Sequence, residues 1–362
     1  MNNRLQVNPR TITIAMIARG FTQQSLAEQL EVTQGALSKW INGNNAVPID
    51  VLDKISDILG YPNNFFYEDV RVLPRSMAYY RRKSNVSQGE LNKIHYDLYI
   101  QKHALKKLLE FIDLPNNVPY LNPDQFGTPQ NIAQMVRQRW KMPRGPVSNL
   151  MNYAESAGII VLWVDGIDID QYKGQVLPDE DGLPIIALNK NMPADLQRFT
   201  LGHEIGHLVM HFADFIPETD IDPESSAHKF SAELLMPKTD ILPDLAEGTS
   251  FQRLASLKPY WKTSISSIVR RAKDLEVINQ QRYTSLNVQL STQGMRKNEP
   301  SYNLKIERPT LVKQIIDACL NELDFTEESL ATKMCLTIED FKKFYGSYIE
   351  KPKIQGKLQI VR

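Results

Sequence analysis

A chain of 362 residues exceeds what one hydrophobic core usually organises, so its length favours two or three domains. Apolar residues make up 42% and charged residues 23%, ordinary values for a globular protein, which excludes wholesale disorder. The formal net charge is zero, so any surface for nucleic acid must come from local clustering of charge.

The N-terminus and the cysteines indicate the cellular compartment. The segment MNNRLQVNPR lacks the apolar core of a signal peptide, and no apolar run approaches the roughly 20 residues of a membrane helix. Cys319 and Cys335 fall in apolar, helix-like contexts without C-x-x-C spacing, which favours buried thiols over a disulfide or a metal pair. We therefore expect a cytoplasmic protein without membrane contact.

Residues 9–66 are predicted to form four short helices, three of which are followed by glycines. The helices span 10–19, 22–30, 34–42 and 48–59, with Gly20, Gly43 and Gly60 at the exits. Ala27 is small where two helices must approach closely, and Thr33 is a natural N-cap. This pattern predicts a helix-turn-helix, in which one helix crosses the DNA backbone and the next enters the major groove.

The helix after the turn carries the polar side chains of a DNA-reading surface. Gln34 opens this helix and is the candidate for contacting a base edge. Ser38, Lys39 and Asn42 follow, with groups that reach either bases or phosphates. The alternative is that these helices form a packing module without affinity for DNA.

The segments TQQSLAEQLEVTQGALSKWINGNNAVP and LDKISDILGY resemble the phage-repressor (Xre-type) helix-turn-helix family over roughly residues 9–67. In that family a glutamine at the first motif helix often contacts the DNA backbone, which implies this role for Gln23. The resemblance implies a double-stranded DNA operator as the partner, and binding as a homodimer is compatible with it.

A basic stretch follows this segment, with a helical pattern over 88–112. Its cationic residues are Arg71, Arg75, Arg81, Arg82, Lys83, Lys93, Lys102, Lys106 and Lys107, against Glu90 and Asp97. Two interpretations stay open: a solvated helix face or linker, and a surface that follows DNA phosphates.

A second domain is predicted after the proline-bearing stretch LPNNVPYLNPDQFGTP. A helix is expected over 129–140, followed by two buried strands at GIIVLWV, residues 158–164, and PIIAL, residues 184–188. The predicted fold is therefore mainly α with a small β-sheet, an α+β class.

The segment FTLGHEIGHLVMHF contains the spacing of a metal site. His203 and His207 are four residues apart on one helix face, so both imidazoles can bind one ion, and Glu204 lies beside them as a general base. His211 continues that face but stands about 12 Å along the helix from His203, too far to share a tetrahedral ion. The alternative is that these histidines merely pack.

A third ligand is expected from DPESSAHKFSAELLMP, a helical segment that can fold back against the first helix. Glu224 is the candidate for this ligand. His228 lies one turn later and can orient a ligand, and we predict the same role for His211. Asp222 and Glu233 are rival ligands, and a purely structural acidic helix face is the further alternative.

The sequence RFTLGHEIGHLVMH, followed by E-x-x-A-x-x-F-x-x-E-L-L-M-P, resembles the ImmA/IrrE family of zinc metallopeptidases. The likeness runs from about 128 to 300 through GPVSNLMNYAESAGIIVLWV, IALN and GMRKNEP. It implies a zincin-like domain, Zn²⁺ rather than manganese or iron, and limited cleavage of a repressor or antitoxin-like protein. The family commonly has Asn or Asp where this chain has His228. Some members fused to a DNA-binding domain are described as sensors of small acyl metabolites.

The C-terminal segment repeats the first one. FTEESLATKMCLTIEDFKKFYG, from Phe325, aligns without gaps on FTQQSLAEQLEVTQGALSKWIN, from Phe21, at a constant offset of 304. Carboxylates replace the DNA-facing positions: Glu327, Glu328, Glu339 and Asp340 stand for Gln23, Gln24, Gly35 and Ala36. We expect a helix-turn-helix-like unit that packs rather than binds DNA, and chance similarity of amphipathic helices is the alternative.

Four domains are predicted in all. They are a helix-turn-helix domain at 1–70, a basic helical connector at 71–127, a metallopeptidase domain at 128–300 and a helical unit at 301–362. The expected function is a DNA-binding regulator whose zinc endopeptidase cleaves a repressor or antitoxin-like partner. The rival is a transcription factor whose peptidase-like domain senses a ligand or metal without catalysis, and Glu204 favours catalysis because a structural zinc site needs no base.

Overall fold

The computed structural model describes residues 6–73, 87–177, 182–211, 222–296 and 299–349. These residues form two compact units. The first takes the described residues of 1–72, 87–113 and 310–362, and the second takes those of 73–86 and 114–309. Along the chain, the second unit is therefore inserted into the first. The division into four domains stays a prediction, and Arg75, Arg81, Arg82 and Lys83 lie outside the described residues.

Helices dominate both units. The first unit begins with α1 (Pro9–Ala18), α2 (Gln23–Gln29), α3 (Gln34–Ile41), α4 (Ile49–Leu59), a 3-10 turn (Asn63–Tyr67) and α5 (Gln88–Leu108). The second contains α6 (Pro123–Phe126), α7 (Pro129–Arg139), α8 (Leu150–Ser156), β1 (Ile160–Val164), β2 (Gly174–Leu177), β3 (Ile185–Asn189), α9 (Ala194–Met210), α10 (Pro223–Leu235), α11 (Lys238–Ala246), α12 (Phe251–Trp261), α13 (Ile265–Asp274) and α14 (Gln280–Thr292). The first unit ends with α15 (Leu311–Asn321), α16 (Glu327–Lys333) and α17 (Ile338–Ile349). The predicted α+β class is confirmed.

The four predicted N-terminal helices are present, each within one residue of its expected bounds. Local chemistry explains this agreement. Thr22 and Ser25 form a reciprocal capping box at the start of α2, and Thr33 caps α3 by accepting the Ala36 N–H at 3.2 Å. Leu26 and Leu37 are fully buried, so the two helices share one small core.

Helix α5 ends at Leu108, four residues before the predicted end of the helical pattern, and it packs on α1. Part of its positive charge is used inside the unit. Lys107 Nζ lies 2.7 Å from Glu68 Oε2, and His103 Nε2 lies 3.2 Å from the same atom. Lys102 is buried. Along α5, the basic stretch therefore contributes to packing within the unit.

The N- and C-terminal segments share their local structure as well as their sequence. Thr326 forms the same capping box at the start of α16 that Thr22 forms at the start of α2. Glu31 and Cys335, which align at the offset of 304, both turn the chain with a φ of 57°. Cys335 therefore lies in a turn, not in the helical context expected from the sequence, although both cysteines are buried thiols without a disulfide.

The C-terminal segment packs against the N-terminal one through a partly buried ion pair. Arg19, at the end of α1, binds Asp340 on α17 and also donates to the carbonyl oxygens of Leu59 and Gly60 at 2.7 and 3.0 Å. Asp340 aligns with Ala36 on α3. The carboxylate that would repel DNA phosphates thus holds the two segments together.

The second unit is built around a three-stranded sheet of order β1-β3-β2. β1 and β3 are parallel, and β2 runs antiparallel to β3 at the edge. The sequence predicted β1 and β3 but not β2, because its four residues, GQVL, show no strand pattern of their own. Helix α9 packs on the sheet and against α10. Among the described residues, none of the helices combines the length and apolar content needed to cross a membrane.

Candidate metal centre

The paired histidines lie in the middle of α9, on one side of the helix. Their Nε2 atoms are 3.0 Å apart, and His203 and His207 are only 5% and 2% exposed. Histidine is seldom buried to this extent, because burial deprives the polar imidazole of its hydrogen bonds with water. Here two imidazoles are buried side by side. A helix places residues i and i+4 on the same face, which is why the four-residue spacing brings these two rings together.

Two glycines on α9 let α10 approach the histidines closely. A Cβ atom added at Gly202 would lie 2.6 Å from Ser231 Oγ, and one at Gly206 would lie 3.0 Å from the Phe230 ring. Ser231 Oγ also donates to the carbonyl oxygen of Phe199 at 2.9 Å. A larger residue at either position would therefore force α10 or its side chains to shift, and this close contact brings the start of α10 to the face that carries the paired histidines.

Glu224, in the first turn of α10, completes a group of three ligand atoms. Its Oε2 lies 3.3 Å from His203 Nε2, and its Oε1 lies 3.1 Å from His207 Nε2. In a tetrahedral zinc site with ordinary bond lengths, ligand atoms are separated by about 3.3 Å. The two nitrogens and one carboxylate therefore fit a divalent ion in number, chemistry and spacing.

The protonation of these groups suits metal binding, which requires neutral imidazoles and an ionised carboxylate. Burial acts to raise the pKa of Glu224, but hydrogen bonds with His203 and His207 outweigh it and hold that pKa well below its ordinary value. Burial lowers the pKa of His207 in turn, so its neutral form is favoured. Glu224 is thus an anion at neutral pH beside a neutral imidazole.

His211 contacts the outer nitrogen of a predicted ligand. Its Nδ1 lies 3.2 Å from His207 Nδ1, on the side of the His207 ring opposite the cluster. Burial, followed by the neighbouring His207, lowers the pKa of His211 to about 4, so it is neutral and can accept a hydrogen bond. If His207 held a metal ion through Nε2, its Nδ1–H would be free to donate to His211, which would fix the ring orientation.

Removal of this contact should weaken metal binding without abolishing it. We expect His211→Ala to lower the affinity for Zn²⁺ by about 10- to 100-fold, because the His207 ring loses the acceptor that orients it. Competition with a chromophoric chelator measures the change, and His211→Gln, which keeps an acceptor oxygen, is the matched control. Equal affinities in His211→Ala and the wild type would remove His211 from the site.

Glu204 follows His203 on α9 and is 4% exposed, but it is not one of the three clustered ligands. The rival ligands are engaged elsewhere. Asp222 caps α10 by accepting the Glu224 and Ser225 N–H groups at 3.2 and 3.3 Å. Glu233 forms a buried ion pair with Arg271.

His228 lies one turn after Glu224, and its ring centroid is 4.8 Å from that of Phe199. It lines a cavity of about 250 Å³ together with His203 and Glu224. The cavity gives His228 access to the centre, and its role in orienting a ligand stays a prediction.

Glu299, for which the motif GMRKNEP suggested no role, accepts the N–H groups of Ile265 and Ser266 at the start of α13.

The residues predicted to bind DNA lie on two neighbouring helices. Gln34, Lys39 and Asn42 are exposed on α3 or just after it, and Ser38 between them is half-buried. The Asn42 amide donates to Ser38 Oγ at 3.2 Å. Gln23 is half-buried at the first position of α2. The structure therefore leaves the three longest of these side chains on α3 accessible to solvent.

Comparison with known families agrees with both motifs. Residues 12–62 match the profile of a helix-turn-helix domain. Residues 162–273, which include the histidine pair and Glu224, match the profile of the IrrE N-terminal-like domain, a metallopeptidase family. The chain combines these two domains, as the sequence predicted. No curated protein matches it as a relative.

Proposed function

We propose that this protein is a DNA-binding transcriptional regulator and a zinc-dependent endopeptidase that cleaves a repressor or antitoxin-like protein. The convergence of His203, His207 and Glu224 from two helices, with Glu204 next to them, is the observation that supports it. A purely structural zinc site is usually closed by four protein ligands, whereas a catalytic one has three and an open position. Among the residues that the structure describes, this cluster has three ligand atoms, which favours catalysis.

Each residue has a separate task in this proposal. His203, His207 and Glu224 hold the ion, which when bound supplies Lewis-acid activation of a water and of the scissile carbonyl. Glu204 takes a proton from the attacking water and delivers it to the nitrogen of the departing amine. His211 keeps the His207 ring in the orientation that binding requires.

The helix-turn-helix would direct the protein to an operator through α3. We expect Gln34→Ala to weaken specific binding by roughly 1 to 3 kcal/mol with a nearly unchanged salt dependence, because it removes a base contact. Lys39→Ala should instead weaken binding to all sequences, since it removes a phosphate contact. Titration of an operator library at several salt concentrations separates the two effects. Unchanged specificity in Gln34→Ala would refute base reading.

The peptidase proposal is tested by cleavage mapping. The purified protein, loaded with Zn²⁺, is incubated with the proteins encoded beside its gene, and new termini are identified by mass spectrometry. A chelator-treated sample is the matched control. Cleavage at defined bonds in the loaded sample alone supports the proposal. Intact partners combined with metal-dependent operator binding would replace the peptidase with a metal-sensing transcription factor.

A further inference from the structure

The cavity beside the candidate metal centre has a wall that the proposed chemistry does not use. His203 and Glu224 form its inner end. The other described lining residues are Ser225, His228 and Lys229 on α10 and Arg270 and Asp274 on α13. All of these side chains are polar or charged. A charged substrate side chain would therefore meet charged partners there.

This wall is fixed by buried contacts between its two helices. Arg271, the neighbour of Arg270, forms an ion pair with Glu233 near the end of α10, and its Nε donates to the carbonyl oxygen of Met236 at 3.0 Å. The Arg271 and Glu233 side chains are only 3% and 2% exposed. Helix α13 is thus tied to α10, so that Arg270 and Lys229 line the same cavity from different helices.

The charges of the wall are unbalanced. Arg270 Nε donates to Asp274 Oδ1 at 2.8 Å, and this hydrogen bond raises the pKa of Arg270, so the guanidinium stays charged. Asp274 is therefore already paired with Arg270. Lys229 is exposed and forms no ion pair with any residue in the described ranges. Apart from the proposed metal ligand Glu224, the described lining carries two cations and one carboxylate, so one positive charge is uncompensated on the wall.

We propose that Lys229 and Arg270, together the cationic wall, bind a carboxylate of the substrate next to the scissile bond. This inference rests on the proposed peptidase function and adds a substrate class to it: peptides with an acidic residue, or a C-terminal carboxylate, close to the cleaved bond. Guanidinium and ammonium groups form charge-assisted hydrogen bonds with carboxylates, and one of each lines this cavity.

Cleavage of a randomised peptide library tests this specificity. We expect Asp and Glu to be enriched about tenfold over Asn and Gln at one position near the cleaved bond, an effect in the range of charge-lined clefts. Arg270→Gln and Lys229→Gln should each reduce that enrichment and leave the zinc content unchanged. Lys238→Gln, which removes an exposed charge from outside the cavity lining, is the matched control. A parallel library with amidated C-termini distinguishes an internal carboxylate from a terminal one.

Binding measurements test the cationic wall independently of the peptidase activity. Zinc-loaded Glu204→Gln is titrated with fluorescent peptide pools centred on Glu or on Gln. Tighter binding of the Glu pool, lost in the double variant Glu204→Gln/Arg270→Gln, supports the cationic wall even if no library peptide is cleaved. Cleavage without acidic enrichment, or equal binding of both pools, overturns the cationic wall and leaves the peptidase proposal standing.

Discussion

Glu204→Gln should bind one Zn²⁺ per chain and yet lose about 10²- to 10⁴-fold in cleavage rate, the usual contribution of a general base. The amide keeps the size and shape of the carboxylate but cannot accept the proton of the attacking water. His207→Ala should lose the ion itself, because it removes one of three clustered ligand atoms. Both variants should bind the operator as the wild type does, since neither residue belongs to the helix-turn-helix.

Metal analysis and cleavage assays on the same preparations separate these effects. Zinc content by mass spectrometry should be close to one ion in Glu204→Gln and close to zero in His207→Ala. Full zinc occupancy in His207→Ala would rule out the site. Equal cleavage by Glu204→Gln and wild type would assign the proton transfer to another group, and unchanged operator control with an intact partner in both would favour the sensor.

Glu233→Ala should destabilise the second unit by about 3 to 5 kcal/mol, although Glu233 lies on the same helix as the proposed ligand Glu224. Its carboxylate binds Arg271 in the interior and also accepts from Gln134 Nε2 at 2.9 Å and from the Lys238 N–H at 3.1 Å. Truncation leaves a buried guanidinium without its counter-charge, a more severe loss than that of an exposed ion pair.

Chemical denaturation with a probe in the second unit measures this loss. Glu224→Ala is the matched control, because it removes a carboxylate from the same helix at a half-exposed position. This control should lose zinc while its apo form keeps nearly the stability of the wild-type apo protein. A small loss of stability in Glu233→Ala, comparable to that of Glu224→Ala without metal, would contradict the structural role of the buried pair.

The features that the sequence predicted well depend on neighbours along the chain. The capping residues Thr22 and Thr33 act within three residues, so the N-terminal helices could be located without tertiary information. The histidine pair is likewise a property of one helix, because residues four apart always share a face. Helix caps and side-chain spacing of this kind can be predicted from a single sequence.

The choice among carboxylates needed the structure. Glu224 and Glu233 are nine residues apart, which on an α-helix is about two and a half turns, so they face opposite sides of α10. Helical periodicity separates the two glutamates but does not say which side meets α9. That side is decided by Gly202 and Gly206, whose missing side chains admit the second helix. Their G-x-x-x-G spacing is the sequence signal for this close approach.

Local sequence patterns also could not predict which distant segments pair with each other. Strand β2 exists because its four residues pair with β3, and nothing in GQVL alone distinguishes a strand from a loop. The alignment of the C-terminal segment with the N-terminal one predicted the local fold of α16 and its turn. It gave no indication that Asp340 would bind Arg19, since the aligned Ala36 carries no charge.

The ion pair between Arg19 and Asp340 joins residues separated by 321 positions. On a ribosome that adds about 5 to 20 residues per second, the second partner is made roughly 15 to 60 s after the first. Every residue of the inserted second unit emerges during this interval. While the second unit is synthesised, the contacts open to Arg19 are those within the N-terminal segment, with the Tyr61 ring and the carbonyl oxygens of Leu59 and Gly60. The N-terminal segment is thus synthesised first, but it gains its contact with Asp340 only after the second unit has been made.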